Sequence, residues 1–444
     1  MITQEPIIKV GIFEQYSEVR GDLVGKYNID HNIIVNGAFH AVVENGDVVM
    51  YGGHGIELLR AREIRCVPVG DCRFVLNDVV IGINFHWERK EDQTFEGGLT
   101  LLARPDGTLT AINEISVEKY LTSVISSEMS ATAPIELLKA HAVTSRSWLV
   151  AMLEQKKKIS NLGIPSQRTI QTETELKRWY DREDHDVYDV CADDHCQRYQ
   201  GVSKIISSAA KEAVDATRGM FLVYDNEICD ARFYKACGGM TELFENAWAD
   251  TPVPYLASVS DAARTYAPVK GEDDARAWIL SNPDAYCNTT DGAILRQVLP
   301  SFDQETTDFF RWTVVSTREE LEALILKKSG IDFGTLHALT PLERGPSGRI
   351  YKLKIEGSKR TLIVGKELEI RRWLSKSHMY SSAFIVETAR DSAGVPVSFT
   401  FRGAGWGHGV GLCQIGAAVM AVKGFHAEEI VKHYFRNAQL STLY

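Results

Sequence analysis

The sequence lacks a long apolar run. No window of about 18 consecutive apolar residues occurs in the 444-residue chain, which argues against a transmembrane helix. The first twenty residues carry acids where a secretory signal peptide is basic, and they contain no adequate apolar stretch. Two expectations therefore stay open: a chain that works in the cytoplasm, or a mature form from which the export information has been removed.

The chain also lacks an excess of basic residues. Its 49 Lys and Arg residues are outnumbered by 59 Asp and Glu residues, which gives a formal net charge of −10 at pH 7. Since nucleic-acid binding needs a clustered basic surface, this balance argues against a general nucleic-acid binder. The sequence contains neither a P-loop nor a GxGxxG pattern, which disfavours nucleotide binding. It also contains no HExxH pattern, which disfavours an open catalytic zinc site.

Cysteine is sparse and scattered, with 8 residues in all, so the chain is not a disulfide scaffold. Cys66 and Cys72 are near enough to close a small loop, and a pair of unlinked thiols is an equal alternative. The exception to the scatter is segment 185–196, HDVYDVCADDHC, which contains two His and two Cys. This composition suits a tetrahedral zinc site, although the spacing is not that of a zinc finger. A loop with incidental thiols is the alternative.

Length and composition indicate a globular protein of about two to three domains. The chain is 44% hydrophobic and 24% charged. Its first part alternates like short strands, with turn signals at Asn45-Gly46 and Pro105-Asp106-Gly107, whereas later segments mix helices with hairpins. One later helix is expected to have Ser316 as its N-cap. The predicted class is therefore α+β.

Four segments are expected. They are a β-rich N-terminal domain at 1–110, the first part of a mixed helical and antiparallel catalytic core at 111–261, a helical insertion or accessory segment at 262–345, and a C-terminal part at 346–444 that completes the core.

The stretch 116–149 predicts two helices and the first candidate for chemistry. Ser116 is a suitable N-cap for the first helix, and Pro134 is a suitable first residue for the second. Apolar residues recur along the first helix at i, i+3 and i+4, and Glu128 falls on the same stripe. A carboxylate among buried apolar side chains is costly to ionise, as suits a general acid. A helix-end glutamate that reaches solvent is the alternative.

Lys139 and Arg146 are seven residues apart on the second predicted helix, so they share a face two turns apart. They are candidates to bind the carbonyl or acidic groups of a polar substrate. Alternatively, one of them pairs with Glu128.

A glycine-rich loop follows near the C-terminus. Segment 403–411, GAGWGHGVG, allows close backbone approach to a ligand or positive φ angles. His408 and Trp406 at its apex resemble a catalytic or sugar-stacking pair, with a tight turn around a packed Trp as the alternative. Tyr234, in the strand-like segment FYKACGGMT, is a candidate hydroxyl donor, although strand tyrosines are more often structural.

Together these segments resemble the stage II sporulation protein D / LytB (SpoIID/LytB) family of peptidoglycan-acting proteins. The matching segments occur in the family's order and cover most of residues 95–260 and 345–440. The combination of SSEM with GHGVGLCQIGA is highly specific. The matching segments are VEKYLTSVISSEMS, PIELLKAHAVTSRSW, HCQRYQG, ARFYKACGGMTE, PYLASV, GRIYKLKI and GWGHGVGLCQIGAAVMA.

The resemblance implies a lytic transglycosylase that cleaves glycan strands stripped of stem peptides. Lysozyme-type hydrolysis needs two carboxylates, so a single strong candidate, Glu128, suits the lytic route. The expected partners are peptidoglycan glycan strands. The alternative function is a non-catalytic glycan-binding enhancer of a cell-wall amidase. The residues that the resemblance assigns to catalysis are Glu128, Lys139, Arg146, His195 and His408. The candidates for substrate binding are Tyr234, Trp406 and Gln414.

The resemblance also implies a cofactor and a compartment. Some members of the family bind zinc through one His and two Cys, which correspond here to His185, Cys191 and Cys196 in a structural site. His195 would then face the substrate, or would itself be a ligand. Because the glycan lies outside the cytoplasmic membrane, the cell envelope or periplasm is expected, with the cytoplasm left open. The chain departs from the family at Cys413, where many members carry a Ser, and at 262–345.

Overall fold

The structure is a computed structural model that describes residues 2–30, 33–82, 88–130, 133–162, 168–180, 185–193, 195–205, 207–298 and 308–444. The chain divides into two compact units. The first unit comprises Met1–Thr132, Arg182–Met220 and Thr442–Tyr444, and the second comprises Ala133–Asp181 and Phe221–Ser441.

The strands are β1 (Ile7–Tyr16), β2 (Glu18–Asp30), β3 (Ile33–Glu44), β4 (Asp47–Tyr51), β5 (Glu57–Ala61), β6 (Glu63–Pro68), β7 (Arg73–Ile81), β8 (Arg89–Glu96), β9 (Gly98–Ala103), β10 (Leu109–Ser116), β11 (Thr169–Gln171), β12 (Glu175–Arg178), β13 (Val190–Cys191), β14 (Met220–Tyr224), β15 (Glu227–Ile228), β16 (Phe233–Tyr234), β17 (Arg311–Thr317), β18 (Leu336–Arg344), β19 (Ile350–Gly357), β20 (Thr361–Gly365), β21 (Phe384–Arg390), β22 (Pro396–Ala404), β23 (Leu412–Cys413) and β24 (Gln439–Thr442).

The α-helices are α1 (Val117–Glu128), α2 (Ile135–Leu162), α3 (Ala209–Ala216), α4 (Phe244–Ala247), α5 (Glu272–Leu280), α6 (Gly292–Val298), α7 (Arg318–Ser329), α8 (Glu367–Trp373), α9 (Gln414–Val422) and α10 (Ala427–Tyr434). Short 3₁₀ turns occupy Gly53–Gly55 and Pro254–Leu256. Within the described ranges, no helix is long and apolar enough to cross a membrane.

The first unit is built on one large sheet. Its described strands follow the order β13-β1-β10-β9-β6-β2-β3-β4-β5, and β7 and β8 join beside β2. The turn between β3 and β4 has Asn45 at φ 53° and Gly46 at φ 88°, which is the backbone that the Asn-Gly pair predicted. The predicted hairpin around Pro105-Asp106-Gly107 forms between β9 and β10. The α+β class and the β-rich N-terminal part are therefore confirmed.

Helix α1 continues directly from β10. Ser116 is its N-cap residue, in extended conformation, although the side chain makes no capping hydrogen bond. The apolar stripe is fully buried, and burial of each such side chain contributes about 1.5–3 kcal/mol. The helix ends at Glu128 because Met129 is extended, with its N–H bonded to the Ile125 carbonyl at 3.1 Å. The stripe residues are Val117, Tyr120, Leu121, Val124 and Ile125.

The second unit combines smaller sheets with helices. One sheet has the order β11-β12-β20-β19-β18, and another has the order β17-β22-β21. Two further small sheets are β15-β14-β24 and the parallel pair β16-β23, of which the second carries Tyr234. A buried apolar cluster packs between the paired strands β17 and β22 and the helices α7 and α8. It includes Trp312, Trp373, Phe399 and Phe401.

The segment 262–345 contains strands as well as helices, since β17 and β18 lie within it beside α5, α6 and α7. Its residues 299–307 are outside the described part. The predicted cap Ser316 is wrong by one residue. Thr317 caps α7, accepting from the Glu320 N–H, and the Glu320 side chain bonds back to the Thr317 N–H. Ser316 belongs instead to β17, where it is paired with Phe399. The proposed four-segment division stays a prediction.

Candidate active site

Glu128 is the last residue of α1, in the first unit. Its side chain is half-buried, one turn beyond the buried stripe. The carboxylate oxygen Oε1 accepts a hydrogen bond from the backbone N–H of Arg198 at 3.2 Å. The carboxylate therefore has a fixed direction while part of it stays accessible.

The segment 196–200 lies along α1. Besides the Arg198–Glu128 bond, the Gln200 N–H donates to the Ser123 hydroxyl at 3.2 Å. The five steps from Ser123 to Glu128 advance about 7.5 Å along the helix, and two steps of extended chain, as from Arg198 to Gln200, advance about 6.6 Å. Because these lengths are similar, both hydrogen bonds fit a segment that runs alongside α1. The segment and the last turns of α1 thus form one surface.

Tyr199 anchors this segment. Its ring is fully buried and stacks on Tyr120, with ring centroids 5.0 Å apart and an interplanar angle of 20°. Its hydroxyl donates to the Asn113 Oδ1 at 2.6 Å. The Asn113 amide in turn donates to the carbonyls of Glu96 and Gly98 at 2.9 and 3.0 Å. This chain fixes the backbone of the segment that touches Glu128.

The His/Cys segment forms a cluster in the same unit. The ligand atoms of His185, Cys191, His195 and Cys196 all lie within 4.8 Å of one another. His185 Nε2 is 3.3 Å from the Cys196 Sγ, and His195 Nδ1 is 3.6 Å from it. His195 Nδ1 is also 3.9 Å from the Cys191 Sγ. His195 therefore lies in one cluster with His185, Cys191 and Cys196, the three residues that correspond to the family's zinc ligands.

Two imidazole nitrogens and two thiol sulfurs at this spacing match the donor set of a tetrahedral zinc site. The Cys196 thiol, together with burial, raises the pKa of Cys191 to about 11. Metal binding would have to displace that proton, because the thiolate is the ligand. These residues form a group capable of holding a metal ion.

A cleft of about 210 Å³ borders the same segment. Its walls come from β1, β7 and the chain that follows the cluster, and they include Glu14, Asp193 and Arg198. The cleft combines both signs of charge with backbone from residues 198–200. It is a recess with a mixed polar and apolar lining in the first unit, next to the segment that binds Glu128.

Lys139 and Arg146 lie on α2, in the second unit, and their environments differ. The Lys139 Nζ is half-buried and forms an ion pair with the Glu136 Oε1 at 2.7 Å. The other Glu136 oxygen accepts from the Ala427 N–H at 2.8 Å. Arg146 is fully buried. Of the two cations on this face, only Lys139 reaches solvent.

His408 lies in the glycine-rich loop of the second unit, and both ring nitrogens contact backbone. Nδ1 accepts from the Val410 N–H at 3.1 Å, so Nε2 carries the proton and donates to the Phe233 carbonyl at 3.0 Å. The ring also packs against Tyr234 and Trp248, with centroids 5.1 and 4.8 Å away. These contacts fix the loop to β16.

Trp406 and Tyr234 are held in the same region. Trp406 stacks on Tyr380 with centroids 3.9 Å apart and exchanges two backbone hydrogen bonds with Ala236. Tyr234 is 5% exposed, and its hydroxyl is enclosed. Arg349, fully buried, donates to the Gly407 carbonyl and to the Cys237 carbonyl. Trp406 is the more accessible of the two aromatic candidates.

Gln414 begins α9 and is 4% exposed. Its amide nitrogen lies 3.1 Å from the Nε2 of His141 on α2, and His141 Nδ1 lies 3.1 Å from the Ser145 hydroxyl. Because Gln414 donates to Nε2, the ring proton of His141 is on Nδ1 and is donated to the Ser145 hydroxyl. Sequence reasoning missed His141 and Ser145. Their i, i+4 spacing on a helix was the available signal.

The buried His141 should make stability depend on pH. Burial, helped by the Lys235 charge, lowers the pKa of His141 to about 3. Since an unfolded His titrates near ~6.5, the unfolded chain binds more protons between these values, and stability is lost as the pH falls from ~6.5 towards 3. We expect His141→Gln to flatten this slope by up to ~1.4 kcal/mol per pH unit in urea titrations. The exposed His337→Gln is the control, and an unchanged slope in His141→Gln would contradict the assignment.

The fold and site define an α+β protein with a half-buried helix-end glutamate beside a His/Cys cluster. A family model described as "Stage II sporulation protein" matches residues 105–224, which contain Glu128 and the cluster. A second model, "Domain of unknown function (DUF8618)", matches residues 242–411. Together with the relatives below, the first match supports membership of the SpoIID/LytB family.

Named relatives agree with this family. Stage II sporulation protein D of Bacillus subtilis (strain 168) is 25% identical over 335 residues, covering 74% of this chain and 76% of the relative. The protein of the same name from Bacillus amyloliquefaciens is 24% identical over 332 residues, with the same coverage. The amidase enhancer of Bacillus subtilis (strain 168) is 24% identical over 338 residues, 72% of this chain but 40% of the relative. These similarities are consistent with a function connected to the cell wall.

Proposed function

We propose that the protein is a peptidoglycan lytic transglycosylase that cleaves glycan strands, preferentially peptide-free ones, with Glu128 as the single acid/base. The observation that carries the proposal is the geometry of this carboxylate. It is half-buried, it ends a helix, and the backbone N–H of Arg198, in the segment 196–200, fixes one of its oxygens. Glu128 and His195, which directly precedes that segment, are also among the residues that the family resemblance assigns to catalysis.

In the first step, Glu128 donates its proton to the glycosidic oxygen. The bond from that oxygen to C1 of the muramyl sugar breaks, and C1 develops oxocarbenium character. The leaving sugar departs with a neutral hydroxyl, and Glu128 becomes a carboxylate. The Arg198 N–H stabilises this carboxylate by hydrogen bonding.

In the second step, the Glu128 carboxylate acts as the base. It takes the proton of the muramyl C6 hydroxyl, and the C6 oxygen forms a bond to C1. The product is a 1,6-anhydro ring, Glu128 is protonated again, and no water is consumed. One carboxylate is therefore sufficient, whereas hydrolysis needs two.

The remaining assigned residues divide by exposure. Lys139 reaches solvent and is suited to bind N-acetyl or lactyl oxygens, and Trp406 is suited to stack on a sugar face. Burial of Arg146, Tyr234 and Gln414 supports a positioning role for them. His408 supports the same role, because both its nitrogens hold backbone.

The His/Cys cluster fits a structural zinc ion. His185, Cys191, His195 and Cys196 would hold it, and a bound ion would cross-link the loop that leads into residues 196–200. With His195 Nδ1 on the metal side, the ring's Nε2 remains on the opposite edge, where it is suited to donate to substrate.

The product identifies the reaction. Purified protein is incubated with peptide-free glycan strands in ¹⁸O-labelled water, and fragment ends are read by mass spectrometry. We expect ends lighter by one water than hydrolytic ends and free of ¹⁸O, because the C6 hydroxyl is the nucleophile. Labelled reducing ends would instead establish hydrolysis and exclude this mechanism.

A second candidate function rests on the similarity to the amidase enhancer. In that case the protein binds wall glycan without cleaving it and stimulates a cell-wall amidase. The same incubation would then yield no new glycan ends, while added protein would raise the rate at which an amidase releases stem peptides. Anhydro ends formed without amidase decide in favour of the transglycosylase.

A further inference from the structure

Three thiols and one carboxylate meet in the interior of the second unit. They belong to Cys237, Asp261, Cys287 and Cys413, and the four ligand atoms all lie within 4.8 Å of one another. We propose that these residues form a second metal centre, separate from the His/Cys cluster, which binds zinc in a closed structural site.

The spacing suits a tetrahedral ion. The Sγ atoms of Cys237 and Cys287 are 3.4 Å apart, well beyond the ~2.05 Å of a disulfide bond. Ligands at ~2.3 Å from a tetrahedral zinc are about 3.8 Å apart, so a small adjustment admits the ion. All four residues are at most 2% exposed, which leaves no position for a water or substrate from outside.

Backbone donors point at the sulfurs. Cys237 Sγ accepts from the Gly239 N–H at 3.3 Å, and Cys413 Sγ accepts from the N–H groups of Cys237 and Gly416 at 3.3 and 3.4 Å. Cys413 is also the N-cap of the nine-residue helix α9, where the helix dipole favours negative charge. Hydrogen bonds of this kind favour the thiolate, which is the form that ligates a metal.

The carboxylate is oriented in the same way. Asp261 Oδ2 accepts from the Cys287 N–H at 2.8 Å, and Oδ1 accepts from the Tyr434 hydroxyl at 2.6 Å. A carboxylate has about four acceptor positions, so two bonds leave capacity for a metal. Gly416 leaves room for the Asp261 carboxylate, because a Cβ at this position would lie 2.3 Å from Asp261 Oδ1. Such hydrogen-bonded ligands are typical of metal sites.

Two cations, the half-buried Arg311 and the fully buried Arg349, offset the charge. Three thiolates and a carboxylate around Zn²⁺ give a net charge of about −2, which is costly in an interior without compensation. The guanidinium of Arg311 donates to the Gly238 carbonyl at 3.0 Å, and that of Arg349 donates to the Cys237 carbonyl at 3.1 Å. Both guanidinium groups therefore lie against the loop that carries the ligand Cys237.

The donor set favours zinc. Soft thiolates select zinc, Cu(I) or iron–sulfur clusters over magnesium, calcium or manganese. Three sulfurs and one oxygen in a closed tetrahedral arrangement suit a structural zinc ion. The ion would join chain segments up to 176 residues apart and would hold the Cys237 loop, which Arg349 links to the glycine-rich loop at Gly407.

Metal analysis of the full chain tests this centre independently of glycan cleavage. The double variant Cys191→Ser/Cys196→Ser removes the thiols of the first cluster. We expect it to retain one zinc per chain, and zinc-edge X-ray absorption should show three sulfurs at ~2.3 Å and one oxygen. A metal-free double variant, or a retained metal with nitrogen ligands, would overturn the proposal.

A substitution in the centre completes the test. Cys287→Ser should lower the zinc content of the otherwise unaltered chain by one equivalent, whereas Cys229→Ser, at a buried thiol outside both clusters, should leave it unchanged. Zinc content unaffected by Cys287→Ser would refute the site. An intact mass two hydrogens below that of the fully reduced chain, with Cys237 and Cys287 linked, would also refute the site, because the two thiols would then form a disulfide bond.

Discussion

Glu128→Gln should lower the rate of glycan cleavage by roughly 10²–10⁴-fold, the usual contribution of a positioned acid/base. The amide cannot donate a proton to the glycosidic oxygen or remove one from the C6 hydroxyl. It can still accept from the Arg198 N–H through its carbonyl oxygen, so the α1 contact survives. The measurement is initial rate on peptide-free glycan, with the release of anhydro ends as readout.

The exposed Glu63→Gln, in the same unit, provides the matched control for lost charge. Its rate and the thermal midpoints of both variants should stay close to those of the parent protein. Anhydro ends that persist at the parent rate in Glu128→Gln would remove this residue from the catalytic role.

Tyr199→Ala should remove activity through the backbone that Tyr199 anchors. Deleting a fully buried aromatic side chain costs about 3–5 kcal/mol of stability, and here it also removes the bond to Asn113. The segment that carries Arg198 would lose its stacking partner on Tyr120. We expect a large fall in kcat even at a temperature where circular dichroism shows the variant to be folded.

Phe74→Ala separates this effect from instability alone. Phe74 is fully buried in the same unit and stacks on Phe95, so its loss should cost a similar free energy of unfolding. Activity should nevertheless persist in folded Phe74→Ala. Equal kcat values in the two folded alanine variants would mean that Tyr199 has no positioning role.

Local signals in the sequence predicted a large part of the fold. Asn45-Gly46 and Pro105-Asp106-Gly107 specify their turns through backbone preferences, so no distant contact was needed. The periodic stripe of α1 follows from the same kind of local rule, whereas α2 begins at Ile135, one residue after the predicted first residue Pro134. The Ser316 cap failed because Thr317 satisfies the same rule one residue later, with Glu320 completing its capping box.

Long-range contacts account for what the sequence did not predict. Nothing local shows that His141 meets Gln414 across 273 residues, or that Cys237 meets Cys413 across 176. Only the His/Cys cluster was recognisable, because its four members lie within twelve consecutive positions. The catalytic assignments came from motif resemblance, and they stay predictions until variants are assayed.

The pairing of Glu128 with Arg198 also has a consequence for the order of synthesis. The two residues are 70 positions apart, and at about 5–20 residues per second the second follows the first by roughly 4–14 s. Through that interval the nascent α1 has no Tyr199 ring to cover Tyr120. The helix that carries the acid thus waits with an uncovered aromatic face until the chain has been extended past Tyr199.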